Sequence, residues 1–388
     1  MAGAINQQPA GFWPRLMAQA AVAAAFPFAG LFLLHAGVAV TAVAILLLVA
    51  AGAIPGIRRR VAAARRTLLA RSSSFRGACL LGAALVPLVM GTNGYWLFVL
   101  SIAMVFAVMA IGINIQLGEI GVINLGYAGL FAIAAYTSAL LSLAGWPVWA
   151  GALAATFLSW LVGALLGLCS IRTSGDYFAL VTLGFGLITH QLIVNLGWLT
   201  NGSNGITNIS PISFFGHTTR DPIALPFLSL APEANGYFLC LLVLAGAVLV
   251  ARRFRNAWVG RMWATVRQDS FGAACFGLNV PMFRLKTIAL ASAFAGPSGV
   301  LFAHLIGFIS PDDFTMLQSI EVLAMVILGG MGNIVGVLVG AIILYVAPEK
   351  LRFLGDYRLL IYGLMLVVIL VYRPKGIIPD PRRIFDRA

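Results

Sequence analysis

Charge is scarce in this chain. Only 10% of its 388 residues are Asp, Glu, Lys or Arg, while 61% are hydrophobic. A soluble domain carries about 25% charged residues, so this composition argues against a soluble globular protein. Many uninterrupted apolar runs approach the roughly 20 residues that cross a bilayer as a helix, and they lack the alternation of β-barrel strands. The sequence predicts an all-α polytopic transmembrane bundle of about 10–12 spans, including short or broken helices.

Motifs that carry covalent or metal chemistry are also missing. The four cysteines stand at Cys79, Cys169, Cys240 and Cys275, without CxxC or zinc spacing, so each is predicted to be a small packing residue. His190 and His304 lie in apolar runs without a carboxylate or thiol at metal-ligand spacing, and are predicted to be core histidines. No GxxxxGK[ST] loop occurs, so ATP binding through a P-loop is excluded for this chain. We expect no catalytic residue, metal or cofactor in it.

Negative charge is rarer than positive charge, with 12 acidic against 25 basic residues and a net charge of +13. Seven basic residues fall in 57–76, seven in 252–286 and five in 373–387; with Arg15 and Arg172 these make 21 of the 25. Cytoplasmic loops of membrane proteins carry such an excess. The charge therefore predicts topology rather than nucleic-acid binding, with both termini in the cytoplasm.

The order of apolar and polar stretches suggests three regions. Residues 1–76 are predicted to form an accessory hydrophobic hairpin followed by a basic cytoplasmic loop, residues 77–378 the main membrane domain, and 379–388 a cytoplasmic tail. The longest polar loop without basic clustering, 199–236, is predicted to lie outside. Spans are expected at about 122–142, 147–169, 177–198, 237–251 and 284–305. The stretch 316–347 reads as two short crossings around a glycine cluster, because only then does the basic C-terminus return to the inside.

Polar and glycine residues inside the apolar runs are candidates for a solute pathway, because such residues in a membrane face protein or water. The richest stretch, 112–127, reads GINIQLGEIGVINLGY. It is either a broken helix lining a pathway or a tightly packed helix end with its acid at the cytoplasmic interface. Glu321 is either a pathway residue or a neutral, hydrogen-bonded packing residue. The candidates are Asn114, Gly118, Glu119, Asn124, Tyr127, Glu321, Gly329, Gly330 and Gly332.

A basic polar segment at 252–286 interrupts the apolar runs. Residues 261–277 are predicted to form one amphipathic helix, with Met262, Val266, Cys275 and Phe276 making apolar contacts. The flanking arginines at 252–255 and the basic residues at 284–286 are interpreted as topology signals only. A basic amphipathic helix either rests on anionic lipid or docks onto a cytoplasmic partner, and composition leaves both alternatives open.

Several stretches resemble, in order and spacing, the permease subunits of branched-chain amino acid ABC importers, the LivM-type family. They are GINIQLGEIGVINLGYAGLFAIAAYTSALL, RTSGDYFALVTLGFG, LTNGSNGI, RMWATVRQDSFGAACFGLN, AGPSGVLFAHLIGFISPDDFTMLQSIEVLAMVILGGMGNIVG and DYRLLIYGLMLVVILVYRPKGII. Together they cover about residues 93–378. Three positions depart from the family pattern, two of them in the basic segment: Gln268 replaces an acid and Gly272 an alanine. Glu119 stands where relatives have an apolar or aromatic residue.

The resemblance implies a transport subunit in the bacterial plasma (inner) membrane, importing branched-chain or related amino acids. Its expected partners are two cytoplasmic ATPase subunits that hold ATP and Mg, a homologous permease subunit and an external solute-binding protein, with lipid around the bundle. It implies a coupling helix within 261–279 that contacts the ATPase through Arg261, Arg267, Gln268, Asp269, Ala273 and Gly277. Docking of the binding protein is expected near Asn204, Asp312 and Asp313.

Two other functions fit parts of the sequence. A proton-coupled secondary transporter would use Glu119 or Glu321 as its proton site. A membrane scaffold without transport activity would use the basic segment to bind anionic lipid. Transport that follows a pH gradient without any ATPase favours the first, and failure to co-purify an ATPase favours the second.

Overall fold

The computed structural model describes residues 94–173, 176–214, 217–219, 224–225, 228–229 and 231–352, with separate positions at 83, 85–87, 357, 360, 363–364, 367, 371, 376–378 and 380. The predicted hairpin and basic loop of residues 1–76 lie outside these, as does Cys79. The chain divides into two compact units, Met1–Gly91 and Thr92–Ala388. The helices below all belong to the second unit.

Helices dominate the described ranges, as predicted. Their bounds are α1 Gly94–Ile113, α2 Tyr127–Leu143, α3 Val148–Arg172, α4 Asp176–Asn195, α5 Gly197–Thr200, α6 Glu233–Asn256, α7 Trp258–Gln268, α8 Ser270–Cys275, α9 Val280–Ser292, α10 Ala295–Ile306, α11 Met316–Gly329 and α12 Ile334–Lys350. A π-helical stretch, the π segment Asn114–Glu119, continues α1. Within these ranges, five stretches are long and apolar enough to cross a membrane: Gly94–Glu119, α3, α4, α6 and Val280–Ile306; α2 and α11 are shorter apolar helices. The prediction of an all-α polytopic membrane protein is confirmed.

The helix α1 forms the centre of this unit. Fifteen of its 20 residues are buried, and α6, α10, α11 and α12 surround it. Near its middle, Phe106 stacks on Tyr345 of α12 with ring centroids 5.1 Å apart. Phe106 also meets Phe131 of α2 and Phe302 of α10 at 6.3 and 6.4 Å. This aromatic cluster ties four helices together.

The helix α3 packs on the outside of the unit through a line of small residues. Gly151, Ala155, Ser159, Gly163 and Gly167 recur every four residues and are buried, which lets neighbouring backbones approach closely. A Cβ atom on Gly163 would stand 2.1 Å from the Ser292 Cβ of α9. Large apolar side chains on the other faces of α3 are exposed.

The two halves of 316–347 form separate helices, as predicted. The helices α11 and α12 pack together, and a Cβ on Gly329 would lie 2.3 Å from the Gly336 carbonyl, while one on Gly340 would lie 2.3 Å from that of Met325. These pairs run in opposite chain directions, so the helices are antiparallel. The glycines allow the two backbones to touch.

Three predicted elements differ from the structure. The span expected from residue 122 begins at Tyr127, because residues 120–126 are not helical. The span at 284–305 is longer, Val280–Ile306, and is interrupted between α9 and α10 at Ala293–Phe294.

The predicted single helix at 261–277 is two helices, α7 and α8. Asp269 adopts an extended conformation between them, with φ −149° and ψ 100°. Its carboxylate Oδ1 accepts hydrogen bonds from the amides of Phe271 and Gly272, both at 2.9 Å. An aspartate that caps a following helix in this way ends the preceding one. Of the side chains predicted to make apolar contacts, Val266 is buried, whereas Cys275 and Phe276 are exposed.

The cysteine prediction holds only in part. Cys240 is buried, as expected of a packing residue, whereas Cys169 and Cys275 are exposed. The loop 199–236 contains α5, a 3-10 turn and two antiparallel pairs of two-residue strands: β1 Ser213–Phe214 with β2 His217–Thr218, and β3 Ala224–Leu225 with β4 Leu228–Ser229. These hairpins leave the all-α class unchanged.

Candidate transport site and coupling segment

The bundle has two ends that differ in charge. We call inner the end at which Arg255 and Arg267 lie, and outer the end at which Asp312 lies. Two breaks in the membrane helices meet at the inner end: the π segment with residues 120–126, and the turn 330–333 between α11 and α12. Eight of the nine candidate pathway residues belong to these two breaks or to the helix ends beside them.

The first break begins where α1 widens into the π segment and ends where α2 starts. Gly121 has φ +73°, a backbone conformation that favours glycine and stops the helix. Asn124 then accepts the Gly126 amide at 2.9 Å through its side-chain oxygen. The Leu125 amide donates to the Thr182 hydroxyl of α4 at 3.0 Å. Side chains therefore satisfy backbone groups that the missing helical turns leave unpaired.

The second break is a glycine turn. Gly330 and Gly332 have φ +114° and +84°, and the Asn333 side chain then caps α12 by accepting the Val335 amide at 3.1 Å. The C-terminal residues cover this turn: the amides of Ile377 and Ile378 donate to the Leu328 and Gly329 carbonyls at 2.7 and 3.0 Å. Residues far along the chain thereby provide hydrogen-bond donors for the last carbonyls of α11.

Asn114 joins the two breaks. Its side chain is buried, and its Oδ1 accepts a hydrogen bond from the Gly332 amide at 2.7 Å. Gly118 lies on the same side of the π segment, where a Cβ would stand 2.7 Å from the Gly332 nitrogen. The two breaks are therefore in direct contact, and a displacement of one changes the contacts of the other.

Tyr127 connects the start of α2 to the bend of 280–306. Its hydroxyl donates to the Ala291 carbonyl at 2.6 Å, beside Gly112 of α1. A nearby bond was not foreseen: the Ala128 amide donates to the Ser319 hydroxyl of α11 at 2.9 Å. Both tyrosine and serine here supply partners to backbone groups at helix ends.

Glu119 lies in an ion cluster at the inner end. Its Oε1 is 3.1 Å from Arg255 Nε, and the Nη2 of that arginine donates to Asp380 Oδ2 at 2.5 Å. All three side chains are largely buried. The burial of Glu119 in this cluster favours the interpretation of a tightly packed helix end. The interpretation of Arg255 as a topology signal is incomplete, because the arginine pairs with two acids.

Arg267 contacts the first break as well. It lies near the end of α7, and its Nη1 donates to the Leu117 carbonyl at 3.0 Å and to the Gly118 carbonyl. Carbonyls at the end of a helix lack helical donors and carry partial negative charge, so a guanidinium is a favourable partner. The sequence did not reveal these contacts, because the partners are 149 and 150 residues away.

The other predicted coupling residues divide into exposed and structural ones. Arg261 and Gln268 are exposed, and the Asp269 carboxylate caps α8. Ala273 is buried with Val266 and Val280, and Gly277, with φ +84°, ends α8. The most exposed large side chains of this segment are Phe271 and Phe276, at 79% and 92%. The resemblance did not single them out.

The predicted docking residues of the outer face do come together. The 3-10 turns Gly202–Asn204 and Pro311–Phe314 touch, and the Ile206 amide donates to the Ile309 carbonyl at 2.9 Å. Asn204 and Asp312 are exposed, whereas the Asp313 carboxylate accepts the Ser310 amide at 2.8 Å in a capping box.

The two histidines lie near this outer face. His304 is buried between the Ser138 hydroxyl, at 2.8 Å, and the Ser210 carbonyl, at 2.6 Å. His190 lies 4.0 Å from Asp312, a carboxylate partner that the sequence spacing did not reveal. Among the described residues no group of three or more His, Cys, Asp or Glu could hold a metal ion.

Glu321 stands apart from the inner breaks. It lies in the second turn of α11 and is exposed on the surface of the chain, near the exposed side chains of Leu317 and Ile320. This exposure in the isolated chain does not favour the interpretation of Glu321 as a packing residue. A carboxylate on an apolar helix is costly to place against lipid.

Comparison with known proteins agrees with this architecture. The family model described as branched-chain amino acid transport system / permease component matches residues 95–370. The high-affinity branched-chain amino acid transport system permease protein LivM of Escherichia coli K12 is 35% identical over 295 residues, 73% of this chain and 69% of that protein. The corresponding permease protein LivH of the same strain is 23% identical over 290 residues, 71% of this chain and 92% of that protein.

A third relative comes from a different organism. The probable branched-chain amino acid transport permease protein LivM of Methanocaldococcus jannaschii is 26% identical over 245 residues, 58% of this chain and 66% of that protein. No solved structure matches the chain. Because the family model spans nearly all of the described bundle and a relative shares 35% identity over most of both chains, this chain belongs to the family of permease components of branched-chain amino acid transport systems.

Proposed function

We propose that this chain, a permease subunit of an ABC importer, forms part of the pathway for branched-chain or related amino acids. The match to LivM, at 35% identity over 69% of that protein, carries the proposal. The chain moves solute and catalyses no covalent reaction; ATP and Mg are bound by partner ATPase subunits. It needs no cofactor of its own. Since the family match begins at residue 95, residues 1–76 are proposed to be an accessory segment.

A homologous permease chain is proposed to complete the pathway. Both LivM and LivH of one strain carry the name of the same transport system and both resemble this chain, which supports a pair of related permeases. The exposed Glu321 supports the same proposal, because a carboxylate at membrane depth calls for protein or water beside it. We propose that the Glu321 side of α11 faces the pathway between the two permeases, with lipid covering the outside of the bundle.

The orientation follows from charge. The basic segments 57–76, 252–286 and 373–387 are proposed to face the cytoplasm, with both termini there, and the chain to reside in the bacterial plasma membrane. The outer surface around Asn204 and Asp312 then faces the solute-binding protein, with Asp313 shaping its loop. Nothing in this arrangement calls on nucleic acid.

Coupling to two ATPase subunits is proposed to run through α8. This helix exposes Phe271, and Phe276, which directly follows it, is exposed as well; the two side chains are 79% and 92% exposed. Exposed aromatic pairs outside the membrane are covered by a protein partner in stable assemblies. We propose that these two rings enter the ATPase, with Arg261 and Gln268 at the rim of the contact.

Replacement of the two rings tests the docking. The double variant Phe271→Ala/Phe276→Ala is expected to lower the amount of ATPase that co-purifies with the permease at least about tenfold, since truncating a central aromatic anchor costs about 2 kcal/mol or more. Phe157→Ala, on an exposed face of α3, is the matched control and is expected to leave co-purification unchanged. Equal co-purification of the double variant and the control would refute the docking of these rings.

Reconstitution tests the function as a whole. The chain, its homologous permease, the ATPases and the binding protein are placed in proteoliposomes, and uptake of radiolabelled leucine, isoleucine and valine is measured with and without ATP. We expect uptake only with ATP and the binding protein. Uptake that follows a pH gradient without ATP, and is lost in Glu321→Gln, would replace this proposal with the proton-coupled transporter. An inactive complex with every one of these solutes would remove the substrate class.

A further inference from the structure

We infer that Arg267 is the internal transmission residue of the transporter: it carries the movement of α8 to the π segment and is not itself an ATPase contact. This inference rests on the proposed function. It concerns a step that docking leaves open, namely how a displacement at the cytoplasmic surface reaches the broken membrane helices.

The first observation is the direction of the Arg267 side chain. Its guanidinium is turned into the bundle and donates to the carbonyls of Leu117 and Gly118, within the π segment. These contacts place a positive charge at the negative end of the α1 helix dipole. The side chain is partly buried by them, so the face that it presents to the cytoplasm is limited.

The second observation is the short connection to the docking helix. Only Gln268, the last residue of α7, and the extended Asp269 separate Arg267 from the start of α8, and the three steps from Arg267 to Ser270 span at most about 11 Å. On the other side, Trp263 pins α7 to α9 by a buried hydrogen bond from its indole nitrogen to the Thr287 hydroxyl, at 3.0 Å. The end of α7 that bears Arg267 is therefore the end that α8 can pull.

The third observation is what the π segment holds. Asn114 binds the Gly332 amide of the second break at 2.7 Å, so the segment touches the turn between α11 and α12. Its other end is anchored through Glu119 to Arg255, and from there to Asp380. Arg255 and Arg267, from two different helices, thus both bind the π segment. Arg255 connects it to α6 and the C-terminal residues, and Arg267 connects it to the coupling unit.

The π geometry suits a part that changes shape. A π turn is held by longer-range backbone bonds than the α-helix, is rare, and is enriched at functional sites. Carbonyls bound by a side chain rather than by helical amides can exchange that partner without unfolding the helix. Loss of the Arg267 contacts would free Leu117 and Gly118 to move away from α7 while α1 remains intact.

The test compares Arg267→Ala with Arg253→Ala in the reconstituted complex. Arg253 is an exposed arginine in the last turn of α6 and serves as the matched control. For Arg267→Ala we expect unchanged ATPase co-purification, continued ATP hydrolysis, and uptake lowered about tenfold, so that more ATP is consumed per solute. Arg253→Ala is expected to resemble the wild type in all three measurements. Arg267→Lys is expected to fall between, because an ammonium is a poorer bridge of two carbonyls than a planar guanidinium.

A second readout follows the movement itself and separates transmission from a merely structural role. In a background without the four native cysteines, Ile123→Cys reports the loop after the π segment through its rate of thiol labelling. We expect ATP to change this rate about fivefold in the parent and to leave it unchanged in Arg267→Ala. If Arg267→Ala cannot be recovered from membranes, Arg267→Lys supplies the same comparison and should at least halve the response.

Three results would overturn the inference: loss of ATPase from the purified Arg267→Ala complex, uptake equal to that of the wild type, or an intact nucleotide response at position 123. A failure of the proposed function is distinguishable, because there the wild-type complex itself would show no ATP-driven uptake.

Discussion

The helices α1 and α3 look alike in sequence and play different parts in the structure. Both are long and apolar enough to cross a membrane, and neither shows a clear polar face. Fifteen of 20 residues are buried in α1 but only seven of 25 in α3. The buried residues of α3 are nearly all Gly, Ala or Ser, at fourfold spacing, while Leu153, Phe157 and Leu165 are exposed.

The difference teaches that apolarity does not distinguish the core of a membrane protein from its periphery. Lipid is as apolar as leucine, so large side chains carry no signal about which way a helix faces. Small residues do, because they mark where two backbones approach. In α3 the small residues mark the single face that packs, whereas α1 is surrounded and buries large and small side chains alike.

The largest effect is expected at the crowded Gly112, near the end of α1. Gly112→Leu places a side chain where a Cβ alone would stand 1.9 Å from the Tyr127 hydroxyl and 2.8 Å from the Ala291 carbonyl. We expect the free energy of unfolding to fall by about 3 kcal/mol or more, because the backbone must shift to make room for the new side chain. The measurement is thermal unfolding of the purified protein in detergent. Gly184→Leu, at a helical position with no atom within 4 Å of its Cβ, is the control and should unfold near the wild-type temperature.

An intermediate effect is expected on α3, and it depends on the face. Gly163→Ala brings a methyl group to 2.1 Å from the Ser292 Cβ and should cost about 1–3 kcal/mol. Leu165→Ala, at a side chain that is 56% exposed, should change stability by less than about 0.5 kcal/mol. Both are measured by the same thermal assay. If Leu165→Ala proved more destabilising than Gly163→Ala, the face of α3 that bears Leu165 would have to be buried against a further part of the assembly.

The smallest effect concerns a single hydrogen bond. Tyr127→Phe removes the 2.6 Å bond to the Ala291 carbonyl while keeping the ring, and should cost about 1 kcal/mol, the usual net worth of a buried neutral hydrogen bond. Tyr177→Phe, at a position 72% exposed on α4, is the matched change and should cost nothing measurable. A Tyr127→Phe protein as stable as the wild type would mean that water replaces the hydroxyl and that this junction is wetter than α1 as a whole.

Much of the fold could be predicted because membrane helices obey strong local rules. The bounds of α3, α4 and α6 lie close to the predicted spans, since an apolar run of sufficient length has no alternative but a helix in lipid. The glycine turn at 330–333 was also predictable, because glycines in a membrane segment indicate a break. The start of α2 at Tyr127 could not be predicted, because the non-helical chain before it is fixed by a hydrogen bond from the Leu125 amide to Thr182, 57 residues away.

The sequence predicted most residues of the candidate site, but it did not predict which residues they contact. Asn114, Glu119 and Arg267 were each singled out, yet their partners Gly332, Arg255 and the π-segment carbonyls lie far along the chain. A buried carboxylate in an apolar sequence signals that a cation must be near, and nothing local says which of 25 basic residues it is. Asp380 was read as part of a plain tail for the same reason.

The sequence by itself determined the class of molecule, the order of its described helices and its family. The class and the helices follow from lipid as a solvent, which forces apolar runs into helices. Only the tertiary structure decided that α1 is central and α3 peripheral, that Phe271 and Phe276 are exposed, and that Arg255 and Arg267 grip the π segment from two sides. Such pairings are set by packing between distant helices, and they leave no periodic trace along the chain.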